Sequence, residues 1–402
     1  MTSPDSPDGL WRDSEPSRAY DVVLVGAGPH TLATAYHLAV HHEVGTVAVL
    51  DDGWSSSGDA EVIAATEPTG HHAAIQRDAL GRWARLGAEL DDGSVFDRCG
   101  MLSLAHTARQ VNDGMHRVYA HRLGGIRGDW LDPARAREVC PPLDVSPDVR
   151  YPVLGGAWQP GAGIAEPDTV TTAYARRAAR AGVELIRGCS VIDLLRDGDR
   201  VTGVRTDAGD IVAGRIGFAD AGPCGPLLEE VGVRVPVRSH AVRALVSEQL
   251  APVLPIAVVS DHARIRIRQT RRGELVMDAD SRYGYRGRGS VHVIEEQLAA
   301  AVELFPALGP VHLVDRPSGI VDTTPDGLPI LGATAVENLF LNRGWGTAAF
   351  AATPTAGRLF AHVLANGTPH PLAGPFGMER FADEASPRRT GSPRGEQRPV
   401  TV

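Results

Sequence analysis

The chain has 402 residues, 43% of them hydrophobic, which is enough to form the cores of two or three domains. Its 40 basic and 49 acidic side chains give a net charge of −9, which argues against general nucleic-acid binding and against attachment to an anionic membrane. No apolar run is long enough to cross a membrane, and the polar first residues lack the apolar core of a secretion signal, so we expect a cytoplasmic protein.

The hydrophobic pattern alternates between strand and helix along most of the chain. An apolar run over residues 20–25 predicts a buried strand, residues 32–39 predict a helix, and residues 46–50 predict a strand that ends at Asp51. Further predicted elements are a helix over 170–181, strands over 183–186, 200–205 and 211–219, an antiparallel region over 256–278, and a helix over 292–305. This order predicts an α/β fold, α+β overall, with a nucleotide-binding core and an inserted antiparallel domain.

The strongest motif is GAGPHT at residues 26–31, between the first predicted strand and helix. In dinucleotide-binding folds the first glycine, here Gly26, allows a tight turn, and the second, Gly28, lets the backbone approach a pyrophosphate at the start of the helix. Asp51 follows Gly28 by 23 residues, where its carboxylate can accept hydrogen bonds from ribose hydroxyls. The neighbouring candidates for cofactor contacts are Pro29, His30 and Asp52. A glycine turn before an ordinary helix would give the same local pattern.

Other candidate nucleotide-contacting elements recur far downstream. They are Val191 after a predicted strand, the small-residue turn that contains Ala221 and Gly222, and the block over residues 319–357. In that block a glycine loop, Gly344-Trp345-Gly346-Thr347, precedes a predicted helix with Thr353 as N-cap and Pro354 as its first residue. This discontinuous layout is typical of FAD proteins with a glutathione-reductase-like Rossmann domain.

Several of these stretches together resemble the β subunit of heterotetrameric sarcosine oxidase, within the D-amino-acid-oxidase-like flavoproteins. The matching stretches are GPHTLATAYHLA (28–39), residues 47–54, MLSLAHT (101–107), RLGGIRGDWLDP (122–133), RYPV (150–153), GAGIAEPD (161–168), TPDGLPILG (324–332) and GWGT (344–347) with the helix after it. The resemblance runs from about residue 20 to residue 381, which is the whole predicted folded region.

The resemblance implies a two-domain flavoprotein that binds FAD and oxidises secondary or tertiary amines, with hydride transfer from the α-carbon to the flavin. We expect a discontinuous FAD domain over 20–90, 160–232 and 319–381, and an antiparallel-sheet substrate domain over 91–159 and 233–318. Residues 1–19 and 382–402 are expected to form a flexible leader and a flexible tail. The family also raises the possibility of partner subunits.

The sequence departs from the family at three positions that bind cofactor or substrate. Pro167 replaces the histidine that carries a covalent FMN in the family, so we expect noncovalent FAD and no covalent FMN. Ala351 stands where a lysine binds the substrate carboxylate, and the chain contains no lysine at all. The loop over residues 55–68 has no basic residue, although the family places arginines there, and it carries Asp59, Glu61 and Glu67.

Two hypotheses fit these departures. The substrate is an amine other than free sarcosine, without the usual carboxylate clamp, or the chain is a catalytically degenerate subunit of a multi-subunit complex, with a structural or an FAD-holding role. The candidates for substrate contact or proton transfer are His71 and His72, expected in a loop over the flavin, and Trp345 is the candidate for shaping the pocket. Arg272, Arg282 or a histidine could promote oxygen reduction in place of a lysine, so the sequence leaves the electron acceptor, oxygen or another, undecided.

Overall fold

A computed structural model describes residues 7–12, 15–53, 58–222, 224–279 and 289–381. Trp54 to Ser57, Pro223, Arg282 and the predicted tail over 382–402 lie outside the described residues. Within them the chain forms two eight-stranded sheets and one two-stranded sheet.

The strands are numbered in chain order. They are β1 (Ala19–Val25), β2 (Val47–Asp51), β3 (Glu61–Ile63), β4 (Met101–Ala105), β5 (Asp129–Leu131), β6 (Gly155–Gln159), β7 (Gly163–Ala165), β8 (Glu184–Arg187), β9 (Val191–Asp197), β10 (Arg200–Thr206), β11 (Gly209–Phe218), β12 (Arg238–Gln249), β13 (Ala257–Ser260), β14 (Ile265–Gln269), β15 (Glu274–Ala279), β16 (Leu313–Thr323), β17 (Ile330–Ala333) and β18 (Leu339–Arg343).

The α-helices are α1 (Pro7–Leu10), α2 (Pro29–His41), α3 (Gly70–Glu89), α4 (Ala108–Leu123), α5 (Pro133–Val139), α6 (Pro167–Arg180), α7 (Gly225–Glu230), α8 (Gly289–Leu304) and α9 (Ala349–Asn366). Short 3₁₀ helices occur at Pro306–Leu308, Gly346–Ala348, Pro371–Phe376 and Met378–Phe381.

The first large sheet carries the nucleotide-binding core that the sequence predicts. Five of its strands run parallel in the order β18-β11-β1-β2-β8. From β1 the chain crosses through α2 to β2 on one side, and β11 joins β1 on the other side much later in the sequence. Crevices at such a reversal, outside the carboxyl ends of the strands, are where ligands bind in open α/β sheets.

Hydrophobic cores cover both faces of this sheet. On one face α2, α3, α6 and α9 bury a large cluster that includes Tyr36, Trp83 and Phe360. On the other face the antiparallel pair β9 and β10, which extends from β11, buries a second cluster around Val23 and Ile216. Both faces are therefore closed to water, which is why β1 and β2 are nearly continuous apolar runs.

The second large sheet has the order β16-β12-β15-β14-β13-β4-β6-β5. Its neighbours pair antiparallel except β4 and β13, which run parallel. The residues of α8 and of the segment after it, among them Ala301 and Phe305, pack with this sheet in a separate hydrophobic cluster. The fold class expected from the sequence is thus confirmed, while the exact domain limits stay a prediction.

The last helix begins earlier than the sequence predicts. Thr353 and Pro354 are predicted to open it, but α9 begins at Ala349, so the proline lies inside the helix. Proline there removes the N–H that would bond the carbonyl of Phe350. Side-chain donors serve the two adjacent carbonyls: His30 Nε2 lies 2.8 Å from the oxygen of Ala349, and Trp83 Nε1 lies 2.8 Å from that of Ala351.

Part of the expected flexible leader is ordered. Arg12 forms a backbone bridge to β8, with its N–H donating to the oxygen of Leu185 over 2.8 Å and its own oxygen accepting from Arg187 over 3.1 Å. The Arg187 guanidinium lies over the Trp11 ring at 5.7 Å. β8 is the last strand of its sheet, and the polar composition of residues 1–19 did not indicate that part of this segment would pair with it.

None of the helices in the described ranges combines the length and the apolar character that a membrane span requires.

The packing of α2 against α9 leads to a test of the fold. A Cβ on Gly357 would lie 2.4 Å from Ala33 Cβ and 2.9 Å from its carbonyl carbon, so the two helices have no room for it. We expect Gly357→Ala to destabilise the protein by about 1–3 kcal/mol through overpacking. Gly81→Ala in α3, where a Cβ would meet no atom within 4 Å, should instead stabilise by up to about 1 kcal/mol. Thermal or urea unfolding would measure both, and equal effects would contradict this packing.

Candidate functional site

The glycine turn between β1 and α2 has the conformation its motif predicts. Gly26 has a φ of 98°, in the left-handed region that favours glycine, and its N–H donates to the oxygen of Leu50 at 2.9 Å. Gly28 is the N-cap of α2 and Pro29 its first residue. The turn therefore holds the start of the helix against the ends of β1 and β2.

A cavity of about 570 Å³ runs along this turn at the carboxyl ends of the parallel strands. Eight predicted cofactor-binding residues line it together: Gly26, Gly28, Pro29, Asp51, Asp52, Val191, Ala221 and Gly222. Burial raises the pKa of the Asp51 carboxyl, although the N–H of Gly53 donates to it over 3.1 Å and lowers that pKa. The structure thus brings together residues that are up to 196 positions apart (26 to 222).

A second cavity, of about 140 Å³, shares several wall residues with the first, among them Pro29 and Ala221. The other predicted cofactor-binding residues line it: His30, Gly344, Trp345, Gly346 and Thr347. Every cofactor-binding residue predicted from the sequence therefore lies on one or both of these two cavities.

The glycine loop in the second cavity is fixed by close contacts. Gly344 has a φ of 76°, and a Cβ there would lie 2.5 Å from Thr324 Cγ2. Trp345 Nε1 donates to Asn342 Oδ1 at 2.6 Å, and the ring of His30 meets the Trp345 ring edge-on with centroids 5.5 Å apart. Burial lowers the pKa of His30, so this ring is held neutral between two elements of the wall.

Two polar atoms of this cavity have no partner. Asn342 Nδ2 and Thr353 Oγ1 are buried, line the cavity, and make no hydrogen bond with any part of the chain that the structure describes. Buried polar groups are almost always satisfied in folded proteins. These two residues are therefore candidates for hydrogen bonds to a ligand in this cavity.

A third cavity, of about 290 Å³, meets the second at Thr347, which lines both. Its walls carry charged and polar side chains from the second sheet and from α4, including Arg117, His121, Gln159 and Arg266, with the acids Glu67 and Asp261, which are exposed. Arg266 Nε is buried and makes no hydrogen bond among the described atoms, but it lies 3.7 Å from Asp278 Oδ2 in an ion pair. The sequence analysis missed these arginines because nothing in their spacing links α4 to β14.

The two predicted catalytic histidines do not reach these cavities. His71 and His72 lie in the first turn of α3 rather than in a loop, and the walls of the three cavities above include neither residue. His72 Nε2 lies 3.0 Å from the oxygen of Gly327, and the His71 ring meets that of Phe376 with centroids 6.4 Å apart. His72 and Trp345 line only a small packing defect of about 10 Å³ together. Neither histidine therefore lines a cavity that holds the predicted cofactor-binding residues, and a catalytic role for them stays a prediction.

One acid of the loop after β2, Asp59, is paired with an arginine from the second sheet. Arg316 Nε donates to Asp59 Oδ1 at 2.9 Å, and the buried Arg268 pairs with Asp278 and donates to the oxygen of Ala60. Glu61, beside them, lines the second cavity. Burial raises the pKa of Glu61 to about 7, although Arg268 opposes the rise.

Pro167 and Ala351, the two single positions at which the sequence departs from the family it resembles, lie near the second cavity. Pro167 is buried at the start of α6 and lines the second cavity, and Ala351 lies in α9 beside the packing defect that Trp345 lines. Neither residue can donate a side-chain hydrogen bond or carry a charge.

Two charged residues that the sequence analysis missed lie between the first and second cavities. Asp220, just after β11, accepts a hydrogen bond from the N–H of Gly28 at 2.9 Å and another from the hydroxyl of Thr31. Arg343, at the end of β18, pairs with the buried Asp322 through its Nε at 3.0 Å and donates to the oxygen of Gly222 at 2.7 Å. Asp220 could have been found from the sequence, because it is the one acidic residue in the predicted small-residue turn over residues 219–223.

Comparison with known proteins agrees with this geometry. The family model described as FAD dependent oxidoreductase matches residues 21–363. The chain is 45% identical to the sarcosine oxidase subunit beta of an Arthrobacter species, over 94% of this chain and 95% of that protein. It is 35% identical to the corresponding subunit of Rhodobacter capsulatus, over 93% of this chain and 91% of that protein.

Solved structures share the fold. The L-proline dehydrogenase of P. horikoshii superposes with a TM-score of 0.81 at 20% identity, over 92% of this chain and 99% of that one. The glycine oxidase of Geobacillus kaustophilus gives a TM-score of 0.77 at 23% identity, over 90% and 98%. The fold and the site define a flavoprotein of the FAD-dependent oxidoreductase class. The chain belongs to that family, within which it resembles the sarcosine oxidase β subunits.

The cavities fit FAD in most respects. The glycine turn leads into the start of α2, and Asp51 can accept hydrogen bonds from ribose hydroxyls. Asn342 Nδ2 and Thr353 Oγ1, which make no hydrogen bond among the described residues, suit the polar edge of a flavin ring. Asp220 stands against the fit, because its carboxylate already accepts the hydrogen bond that Gly28 would give to a phosphate.

Glu61 leads to a pH prediction. Because its pKa rises from 4.5 to about 7 on folding, the folded state keeps a proton that the unfolded chain releases, so stability falls as pH rises through that range. Glu61→Gln removes this loss. We expect the variant and the wild type to have similar thermal midpoints near the lower pH and the variant to be more stable above the upper one. Glu229→Gln, an exposed change in α7, is the control. A difference independent of pH would contradict the assignment.

Proposed function

We propose that the chain binds FAD noncovalently and oxidises an amine that is larger than free sarcosine. The observation that carries the proposal is the arrangement of the three cavities. The first two hold every predicted cofactor residue, and Thr347 is a wall of both the second and the third. A flavin ring in the second cavity would therefore face the third.

On this proposal each part of the cofactor has a set of residues. Gly26, Gly28 and Asp51 would hold the adenosine and pyrophosphate half, and residues 344–347 would lie along the flavin ring with Asn342 and Thr353. Bound FAD would supply the two-electron acceptor. The chain's residues would exclude water from the ring and orient the amine, with Trp345 held in place by Asn342 and His30.

The third cavity supports a substrate other than free sarcosine. Its volume of about 290 Å³ is far larger than so small a molecule fills. Ala351 cannot bind a carboxylate, so a carboxylate on the substrate would have to meet Arg117 or Arg266 instead. The exposed Glu67 and Asp261 on the same cavity suit a positively charged amine. A substrate with both charges and a larger body matches these walls best.

Three residues favour the second hypothesis, a catalytically degenerate subunit. The carboxylate of Asp220 occupies the turn where a pyrophosphate should bind, and Pro167 and Ala351 replace functional residues of the family. Such a subunit would act with partners, which the resemblance to a β subunit also suggests. The two hypotheses differ in whether the purified chain turns over an amine.

The first test is the absorption spectrum of the purified protein, before and after heat denaturation. We expect flavin bands that move wholly into the supernatant, as a noncovalent cofactor requires. Gly28→Val should abolish FAD retention, because its side chain would fill the space in which a pyrophosphate approaches the backbone of the turn. Gly374→Val, where a Cβ meets no atom within 4 Å, is the control.

The outcomes separate the hypotheses. A wild type that stays colourless after incubation with FAD favours the degenerate subunit. Unchanged flavin content in a folded Gly28→Val variant would contradict the role of the turn.

The substrate proposal is tested on α4, where Arg117 lines the third cavity and Arg109 is exposed. Amines with and without a carboxylate would be screened with acceptor dyes. We expect Arg117→Gln to raise KM about tenfold for amines that carry a carboxylate, through the loss of a charged hydrogen bond, and to leave KM for the others unchanged. Arg109→Gln should change neither. Equal effects on both amine groups would exclude Arg117 as the anion contact.

A further inference from the structure

The carboxylate of Asp220 lies where the fold would place a phosphate. It accepts hydrogen bonds from the N–H of Gly28 at the start of α2 and from the hydroxyl of Thr31 in the first turn. A helix N-terminus favours negative charge through its free N–H groups and its dipole, and this one already holds an anion from the same chain. A role for Asp220 in cofactor binding rests on the proposed function, in which FAD binds at this turn.

The carboxylate and a phosphate cannot both use the turn. Atoms of Asp220 come within 2.4 Å of the place where a Cβ on Gly28 would lie, so the space that the missing side chain leaves is filled by this acid. Two anions in contact also repel each other, and the repulsion is strong where water is excluded. Binding a pyrophosphate therefore requires Asp220 to give up both hydrogen bonds and move.

The charge of the cavity as a whole makes this competition stronger. Its walls carry four carboxylates against two guanidiniums: Asp51, Asp52, Asp168 and Asp220 against Arg187 and Arg343. Asp51 is needed for the ribose, whereas Asp220 lies beside the position of the phosphates. Arg343 lines both cavities together with Asp220, so a displaced carboxylate has a guanidinium nearby.

We propose that Asp220 is an intramolecular competitor of the FAD pyrophosphate, which stabilises the cofactor-free protein and lowers its affinity for FAD. Both effects come from the same hydrogen bonds to Gly28 and Thr31. They are therefore lost together when the carboxylate is removed, with opposite consequences for the stability of the empty protein and for FAD binding.

The experiment measures FAD binding to the full chain, stripped of cofactor, by quenching of flavin fluorescence. We expect Asp220→Asn and Asp220→Ala to lower the Kd for FAD about tenfold or more, because hydrogen bonds to a charged group no longer have to be broken. Asp210→Asn changes an exposed acid of β11 that pairs with Arg205, and should leave Kd unchanged. Asp51→Asn, on the same cavity, should raise it.

The thermal midpoint of the cofactor-free protein is the second measurement. It should fall in both Asp220 variants, and the shift produced by saturating FAD should be larger than in the wild type. Thr31→Ala keeps the carboxylate but removes one of its donors, and should lower Kd by a smaller factor. If Asp220 had a purely structural role, its removal would weaken FAD binding and stability together.

The outcomes distinguish this proposal from the proposed function. A lower Kd for FAD in the Asp220 variants than in the wild type supports the competition. The same holds if the variants bind FAD and the wild type binds none. If FAD binds the wild type and the Asp220 variants with equal Kd, or binds the variants more weakly, the competition is refuted while the FAD site stands. If FAD binds none of them, both proposals fail.

Discussion

The contact between α2 and α9 is the constraint on which the site depends. Gly357 lacks the side chain that would separate the two helices, so α9 lies directly on Ala33. Their N-terminal ends consequently meet, with His30 of the glycine turn 2.8 Å from the carbonyl of Ala349. The glycine turn between β1 and α2 and the glycine loop at Gly344 are separated by more than 300 residues, and this packing makes them walls of two cavities that share residues.

The second sheet supplies walls of the second and third cavities that the first sheet does not. The first sheet and its helices supply a cradle for a dinucleotide, but they leave one side of the second cavity open. Residues 318–322 of β16 close that side, and β4, β6 and β13 contribute walls of the third cavity. On the proposed function, residues of both sheets would form the substrate site, so its chemistry could differ from that of relatives that share the first sheet.

Features that are encoded within a few consecutive residues could be predicted from the sequence, whereas contacts between distant residues could not. The turn at Gly26 and Gly28 is encoded within a few residues, so it was predictable with its strand and acid. The start of α9 was misjudged because Thr353 and Pro354 form a good cap locally, whereas burial of Phe350 and the residues after it extends the helix backwards. Pairings across the fold, such as that of Arg316 with Asp59, leave no trace in local spacing.

Those distant pairings change the meaning of the acidic loop. Taken alone, Asp59 and Glu61 suggest a reversal of charge at the substrate site. In the fold Asp59 is bonded by Arg316, and Glu61 lies beside Arg268, which is itself paired with Asp278. Because Asp59 is buried and paired with Arg316, its carboxylate stabilises the contact between this loop and the second sheet. On the proposed function, charge selection for the substrate would fall to Arg117 and Arg266, which line the third cavity.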